Sequence, residues 1–546
     1  MPHRSKHSRP RVLLTSVFQP FACDDEFGSR AINPLELYHN QVTRAQGPFS
    51  LRMHHRSWGI MMIQENISAA STLLDFPTRE RFVQELKSAP YDIVGISGII
   101  VNVGKVREMC RLVREHSPGS TVVVGGHVAA IPGIERMLDA DHVVKGEGIR
   151  WFREFLGDDV EAPISHPVIP ASFGFRLMGI KMSQGGGDPA ATIIPSVGCP
   201  MGCNFCTTSA FFGGKGRFVN FFETGKQLFD VMCKAEQELD VRTFFMMDEN
   251  FLLYKKRALE LLDHMKAHGK VWSMYVFSSA NALRKYDMRQ LVELGVSWVW
   301  MGFESNESGY RKLRDSDTVT LTRELQSHGI RVQGSTIVGM EHHTPENIRA
   351  EIERAVAHDA DCHQFMEYTP LPGTPLHAQM QEQGRMLEGM DLADMHGQYK
   401  FNFRHEHIAR DDSKTWLDFA FEHDFAVNGP SLYRMVRTMY EGWKRYGQDA
   451  DARVRARYVA EMNTLKRGYG AALWAMERYL RRSNRAVSER IAELRRQIQG
   501  EAGVLSRVID GAIGPLLLWS ARREGSAYPE GRPLEPQMFV DRRNWA

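Results

Sequence analysis

The stretch ATIIPSVGCPMGCNFC, residues 191–206, reads as a short β-branched strand running into a turn that carries three thiols. Cys199, Cys203 and Cys206 stand at the spacing C-x3-C-x2-C. Thiolates are soft ligands for iron–sulfur clusters or zinc. A structural zinc site normally takes a fourth Cys or His, in paired knuckles. Here no histidine occurs between His166 and His264, and the next cysteine, Cys233, falls in a helical pattern. Three thiolates suit a 4Fe–4S cluster with one iron left open to a substrate. Zinc, or three incidental core cysteines, is the alternative that spacing alone leaves standing.

Outward from this turn, strands and helices alternate. Strands are expected at 191–197, 243–250, 272–279, 298–305, 332–340 and 362–371, with helical stretches such as KKRALELLDHMKAHG (255–269) between them. Six β/α units are fewer than the eight of a closed barrel, so a partial, open (β/α)6 barrel is expected over 191–380. Upstream, RVLLTSVF (11–18), YDIVGISGII (91–100), STVVVGGHVAA (120–130) and DHVVKGEG (141–148) read as strands of a Rossmann-like α/β domain over 1–165. Ligands of such sheets bind beyond the carboxyl ends of the strands, where Gly125, Gly126, Gly146 and Gly148 lie; simple turns are the alternative use of these glycines. Residues 166–190 read as a linker, with Pro167, Pro170 and the run SQGGGDP (183–189). From 381 to 546 the pattern is mostly helical, as in RAVSERIAELRRQI (485–498), with an irregular, Pro-rich tail from Tyr528. This region is read as a cap over the barrel mouth that selects substrate.

Composition narrows the class. The chain has 546 residues, 43% of them hydrophobic, enough for more than one core. Its 68 basic and 66 acidic residues nearly cancel, which leaves no whole-chain footprint for nucleic acid. Seven cysteines exclude a disulfide scaffold. The start MPHRSKHSRPRVLLTSVF has no signal-peptide pattern, and no run reaches the roughly 18 apolar residues of a membrane span. A cytoplasmic, reducing location is therefore expected. Peripheral membrane contact through basic amphipathic helices and GVLSRVIDGAIGPLLLW (503–519) is one reading of the C-terminal region; a helical unit whose Trp416, Trp443, Trp474, Tyr433, Tyr440, Tyr446 and Tyr469 form its own core is the other.

The cysteine turn resembles that of the radical S-adenosylmethionine (SAM) enzymes, whose hallmark is C-x3-C-x-aromatic-C after the first strand of a partial barrel; here the aromatic is Phe205. The resemblance implies a site-differentiated cluster held by Cys199, Cys203 and Cys206, whose free iron takes the amino and carboxylate groups of SAM. One electron, from a donor such as flavodoxin or ferredoxin, then cleaves SAM to methionine and a 5′-deoxyadenosyl radical able to attack an unactivated carbon. Later strand ends are similar to the family's too. Asp248 in FFMMDEN, Glu304 and Ser305 in GFES, and Ile337 and Gly339 in STIVGM are implied to face SAM, along with Phe205, and TPLPGTPL (369–376) resembles a strand-six ending.

The front domain resembles the cobalamin-binding domain fused ahead of many of these barrels, in the order DIVGIS, helix, VVVGGHVAA, VVKGEG. That likeness implies a corrinoid at the strand ends, near Ser97, Gly125, Gly126, His127, Gly146, Glu147 and Gly148. No D-x-H-x-x-G motif supplies a cobalt-ligating histidine. With both cofactors the expected chemistry is C-methylation of an apolar, lipid-like or natural-product substrate by a cobalamin-dependent methyltransferase. The alternatives are cyclisation, rearrangement or carbon–carbon coupling with the same cofactors, or a corrinoid-binding sensor or scaffold. No residue is singled out as catalytic.

Overall fold

The computed structural model describes residues 10–171, 175–182, 190–304, 317–529 and 532–545. Five parallel strands come first: β1 (Arg11–Ser16), β2 (Ala70–Asp75), β3 (Ile93–Ser97), β4 (Thr121–Gly125) and β5 (His142–Val143), in spatial order β2-β1-β3-β4-β5. Leu13 lies between Thr72 and Val94 in this register, and Val12, Leu13 and Leu14 are all buried. Such a sheet is covered on both faces, which is why β1 reads as an unbroken apolar run rather than an alternating one. Helix α1 (Val103–His116) follows β3, and α2 (Gly148–Leu156) follows β5. The order turns back at β1, so the carboxyl ends of β1 and β3 flank a crevice.

The second sheet holds β6 (Ala191–Ile193), β7 (Thr243–Met246), β8 (Ser273–Phe277), β9 (Val296–Gly302), β10 (Arg331–Val338) and β11 (Cys362–Glu367), paired in chain order and all parallel. This is the expected six-stranded, open barrel. The stretch read as a linker is not a free tether. Ile169–Pro170 pairs antiparallel with β6 as an extra edge, and Phe175–Leu177 and Ile180–Met182 form a hairpin on Arg52–Met53. Exposure alternates along β8, β9 and β10: Met274, Val276, Val299, Met301 and Val332 are fully buried against helices, while Tyr275, Phe277, Trp298, Trp300 and Ser335 on the lumen side are half-buried.

Residues 36–58 cross the amino-terminal end of this lumen, a role no pattern announced. Tyr38 and Val42 pack with Cys362 and Trp298, and Gln364 donates to Gln41 at 2.5 Å. A buried network locks the crossing: Arg52 donates to Glu36 at 2.6 and 2.8 Å and meets His39 Nε2 at 2.7 Å, while His39 Nδ1 meets Ser50 at 2.6 Å.

The C-terminal helices are α3 (Arg410–Asn428), α4 (Ser431–Tyr446), α5 (Ala452–Thr464), α6 (Gly470–Leu480), α7 (Arg485–Glu501) and α8 (Val504–Ala527). They correct the expectation of a cap over the mouth. Arg453 donates to the carbonyls of Lys270 and Glu293, Arg457 to Val292, Tyr458 to His328 and Arg434 to Ala360. All five acceptors lie within a few residues before the starts of β8 to β11, so these helices brace the amino-terminal end. The aromatic residues follow the other reading: Tyr433 and Tyr440 sit in the core of the helical unit, Trp443, Trp474 and Tyr469 pack on it, and Tyr446 joins the barrel core. The mouth is overlaid by residues 372–408, so within the region read as a cap it is 381–408, not the helices from 410 on, that lies there. Leu376 N–H donates to Asn204 at 3.0 Å, and Phe401 lies against Gly339.

The tail, expected to be irregular, ends in β12 (Phe539–Arg543), antiparallel to β2 at the edge of the first sheet. On the way Glu535 accepts from the N–H groups of Phe21 and Ala22, and Leu534 O meets His54 Nε2 at 2.7 Å.

Candidate functional site

The cysteine loop leaves the barrel after β6 and closes on the short helix Thr207–Phe211. Cys206 caps that helix, its sulfur accepting from Ser209 N–H at 3.5 Å, and Cys206 N–H donates to Cys203 O at 3.1 Å. Ser209 Oγ donates to Cys199 O at 2.7 Å, so a single serine ties both ends of the loop. Two glycines give the loop its shape. Gly202 has φ +68° with Lys215 Cβ only 2.5 Å from where its own Cβ would stand, and Gly198 has φ +85° with Phe212 Cβ at 2.7 Å. No side chain other than hydrogen fits either place.

All three sulfurs are partly accessible. Burial pushes the Cys199 thiol up to about 11, with the neighbouring thiols and Glu249 adding to the shift. As thiols the three are poor ligands; ligation drives the protons off. Among the described residues no three His, Cys, Asp or Glu side chains converge as the ligands of one ion do. A cluster with one cysteine per iron does not require such convergence.

Strand ends from the barrel surround this loop. Glu249, three residues past β7, is half-buried with Oε2 lacking a partner among the described residues, and the backbone of Gly198 stands by its carboxylate. Burial, then the Asp248 charge, push the Glu249 carboxyl up to about 8. Asp248, expected to face SAM, has protein partners of its own. Its Oδ2 accepts from Ser196 at 2.8 Å and from Arg257 at 2.5 Å, both partners buried, so the carboxylate is consumed in holding β6, β7 and the following helix together. Glu249 was legible only as its sequence neighbour.

Glu304 is buried and lines a pocket with Ile337, Val338, Met340, His343 and Arg354, between the ends of β9 and β10. Ser305 lies outside the described residues. Phe205 packs beside Ile337 on the core under the mouth. Gly339 has φ +76°, and a Cβ there would stand 2.3 Å from Phe401 Cζ. Its N–H and that of Met340 donate to His343 Nδ1 at 3.0 and 3.2 Å. His343 was not anticipated; its only sequence signal is its place four residues after the glycine.

The first sheet presents its carboxyl ends to the same loop. Gly126 has φ +79°, and a Cβ would meet Gly98 O at 2.5 Å and Ser97 Oγ at 2.9 Å, so Ser97, Gly125 and Gly126 form one tight corner. His127 follows, its ring 4.8 Å from that of Phe211, five residues past Cys206. Burial alone pushes His127 down to about 4, and its Nδ1 has no partner among the described residues. A neutral imidazole with an orphaned nitrogen suits a bound group between the two units. Gly146 has φ +87° and stands near Phe211 O. Glu147 and Gly148 have local duties: the Glu147 carboxylate caps α2 through Ile149 and Arg150 N–H, and Gly148 lies against Ile63.

Residues 52–156 match the family described as B12 binding domain, and residues 193–355 match the radical SAM superfamily. Among curated proteins the chain is 26% identical over 342 residues to bacteriochlorophyllide d C-12(1)-methyltransferase of Chlorobaculum tepidum, covering 58% of this chain and 71% of that one. It is 24% identical over 410 residues to the C-8(2)-methyltransferase of the same organism, covering 69% and 87%. Among solved structures it resembles the radical SAM methyltransferase TsrM from Kitasatospora setae, solved with tryptophan and a SAM analogue, with a TM-score of 0.49, 18% identity, and coverage of 80% and 89%.

Proposed function

The chain joins a B12-binding domain to a radical SAM domain, and from that premise we propose that it transfers a methyl group to an unactivated carbon of an apolar small molecule. The observation that carries the reading is the approach of the glycine corner of the first sheet to the cysteine loop, His127 against Phe211. The cofactors supply a 5′-deoxyadenosyl radical at the cluster and a transferable methyl group on the corrinoid. Everything else falls to the protein. Cys199, Cys203 and Cys206 would hold the cluster, in a loop shaped by Gly198 and Gly202. Glu249, Glu304, Ile337 and Phe205 stand around the space where SAM would lie. Ser97, Gly126, His127 and Gly146 would meet the corrinoid, with His127 neutral at physiological pH. Segment 372–408 keeps water from the mouth. Bacteriochlorophyllide methylation by two relatives supports methyl transfer over the ring closure or coupling that the same cofactors allow.

The test uses SAM labelled in its methyl group, with reduced flavodoxin or ferredoxin as electron donor. Label in the product supports the proposal. Label confined to methionine and cobalamin refutes it in favour of ring closure or coupling. Cys199→Ala should abolish SAM cleavage altogether.

No helix among the described residues is long and apolar enough to cross a membrane. Peripheral contact is part of the proposal, supported by α8, where Val508, Ile513, Leu516 and Trp519 are exposed between Arg507 and Arg522–Arg523. Flotation with anionic vesicles tests it; a protein left wholly in the soluble fraction at low salt defeats it.

A further inference from the structure

The lumen has two unlike halves. On β7, β8 and β9 the inward positions are aromatic. Phe245 is paired with Tyr275, Tyr275 with Trp298, and Phe277 with Trp300. Cross-strand rings are stacked: Phe277 and Trp300 have centroids 4.7 Å apart and planes 26° apart, and Tyr275 and Trp298 are 5.4 Å and 26° apart. Along β8, Tyr275 and Phe277 are 16° from parallel. Rings stacked face to face across neighbouring strands use up their faces on one another. What they turn to the lumen is a row of edges, the electropositive rim of the quadrupole. On β10 and β11 the inward positions below Ile337 and Met366 include the neutral, polar Gln333, Ser335 and Gln364: Ser335 donates to Gln364 Oε1 at 2.5 Å, and Tyr275 OH donates to Gln333 at 2.8 Å.

Height along the strands matters as much. Gln41, donating nothing to the aromatic side, closes the floor against Gln364. Trp300 is two residues below Gly302 and four below Glu304, so it stands two inward positions beneath the pocket that Glu304 shares with Ile337, with Gly302, which carries no side chain, between them. Phe277 and Trp300 remain half-buried although every outward neighbour on their strands is fully buried. Phe277 and Trp300 share a layer in register with Gln333, and Ser335 and Gln364 stand beside Gly302 one inward position nearer the strand ends; none of these inward side chains is charged.

We propose that this layer takes a planar, uncharged, conjugated ring, packed edge-to-face against Phe277 and Trp300, with Trp300 as a specificity-determining residue. A row of ring edges attracts the π face of a flat ring, whereas a saturated polycycle has no such face and gains only contact area. The amide and hydroxyl half then accepts or donates at the ring's polar substituents. The inference rests on the reading of this lumen as the reaction chamber, and it selects flat substrates over saturated lipids within that reading.

The test is equilibrium dialysis of the reconstituted holoprotein with 2-naphthol and with 2-decalol, two molecules of the same carbon skeleton and hydroxyl but opposite ring character. The wild-type protein should bind 2-naphthol about tenfold more tightly than 2-decalol, as two edge-to-face contacts would give. Trp300→Phe should keep most of that preference and Trp300→Leu should level it, with iron content and circular dichroism as controls on folding. Equal binding in the wild type, a preference for 2-decalol, no binding of 2-naphthol at millimolar concentration, or a preference untouched in Trp300→Leu would each overturn the inference. Binding is read without turnover. A failure of methyl transfer therefore leaves this result intact, and a failure here leaves the labelling result intact.

Discussion

Replacing Gly339 by alanine separates what the fold requires from what a cofactor requires. At φ +76° an L-residue sits in the left-handed region, which costs about 1–2 kcal/mol. The new Cβ would stand 2.3 Å from Phe401 Cζ and 2.6 Å from Cε1, with Phe401 itself buried, so the core must shift for a further cost of about 1–3 kcal/mol. The sum predicts a loss of about 2–5 kcal/mol for Gly339→Ala. Phe401→Leu alone should cost about 1–1.5 kcal/mol and removes the two clashing atoms. The double variant should therefore be more stable than additivity predicts, by about 1–3 kcal/mol. Urea unfolding reads the total, and hydrogen exchange on residues 331–343 keeps the local effect apart from other units. SAM affinity is measured on the same proteins. If Gly339 serves the fold alone, affinity recovers with stability in the double variant. If SAM needs the bare backbone, stability recovers and affinity does not. A single variant within 0.5 kcal/mol of the parent, or an absence of coupling to Phe401, would refute the steric reasoning.

Arg257→Met leaves Asp248 charged and unpaired in a buried site and should cost about 3–5 kcal/mol, much of it regained in Asp248→Leu/Arg257→Met; a loss below about 1 kcal/mol would show the pair to be dispensable. Burial holds His343 down to about 3 in the folded protein, against about 6.5 unfolded, so between these values the unfolded chain binds the extra proton. Its contribution is therefore full above pH 6.5 and is lost as pH falls toward 3, at up to about 1.4 kcal/mol per pH unit, and His343→Gln should flatten acid unfolding over that window. Phe211→Ala removes the ring against His127 and should lower the ratio of corrinoid to iron retained through gel filtration; an unchanged ratio would mean that this contact does not bear on the corrinoid.

The barrel was legible because each of its strands is buried on the helix side. Runs such as WSMYVFSS and VQGSTIVGM therefore carry alternation and β-branching in plain view. Strand β2, ASTLLD, carries no alternation and only one β-branched residue, Thr72, and its burial comes from neighbours far away in the chain. The same holds for β12, FVDRR, whose pairing with β2 no local pattern encodes. Residues 36–58 were opaque for another reason: their order rests on Arg52, Glu36, His39 and Ser50, polar groups that satisfy one another only once folded. The cysteines could be read because their spacing is itself chemistry. For Asp248, sequence shows a carboxylate at a strand end without showing that Arg257, nine residues on, donates to it. The arginines and tyrosines of the helical region resembled a substrate rim, but most of their named partners are carbonyls at the barrel's far end.

The return of β12 to the first sheet has a consequence for biosynthesis. Strands β1 to β5 leave the ribosome well before β12, and the outer edge of β2 stays bare until about 460 more residues have been made. At about 5–20 residues per second that delay is on the order of half a minute to a minute and a half. Through that interval a nascent chain displays an unpaired parallel edge, the kind of surface that recruits other strands. The first sheet is thus completed only after the barrel and the helical unit have been made, and the hand-over to β12 competes with every other edge in the polysome.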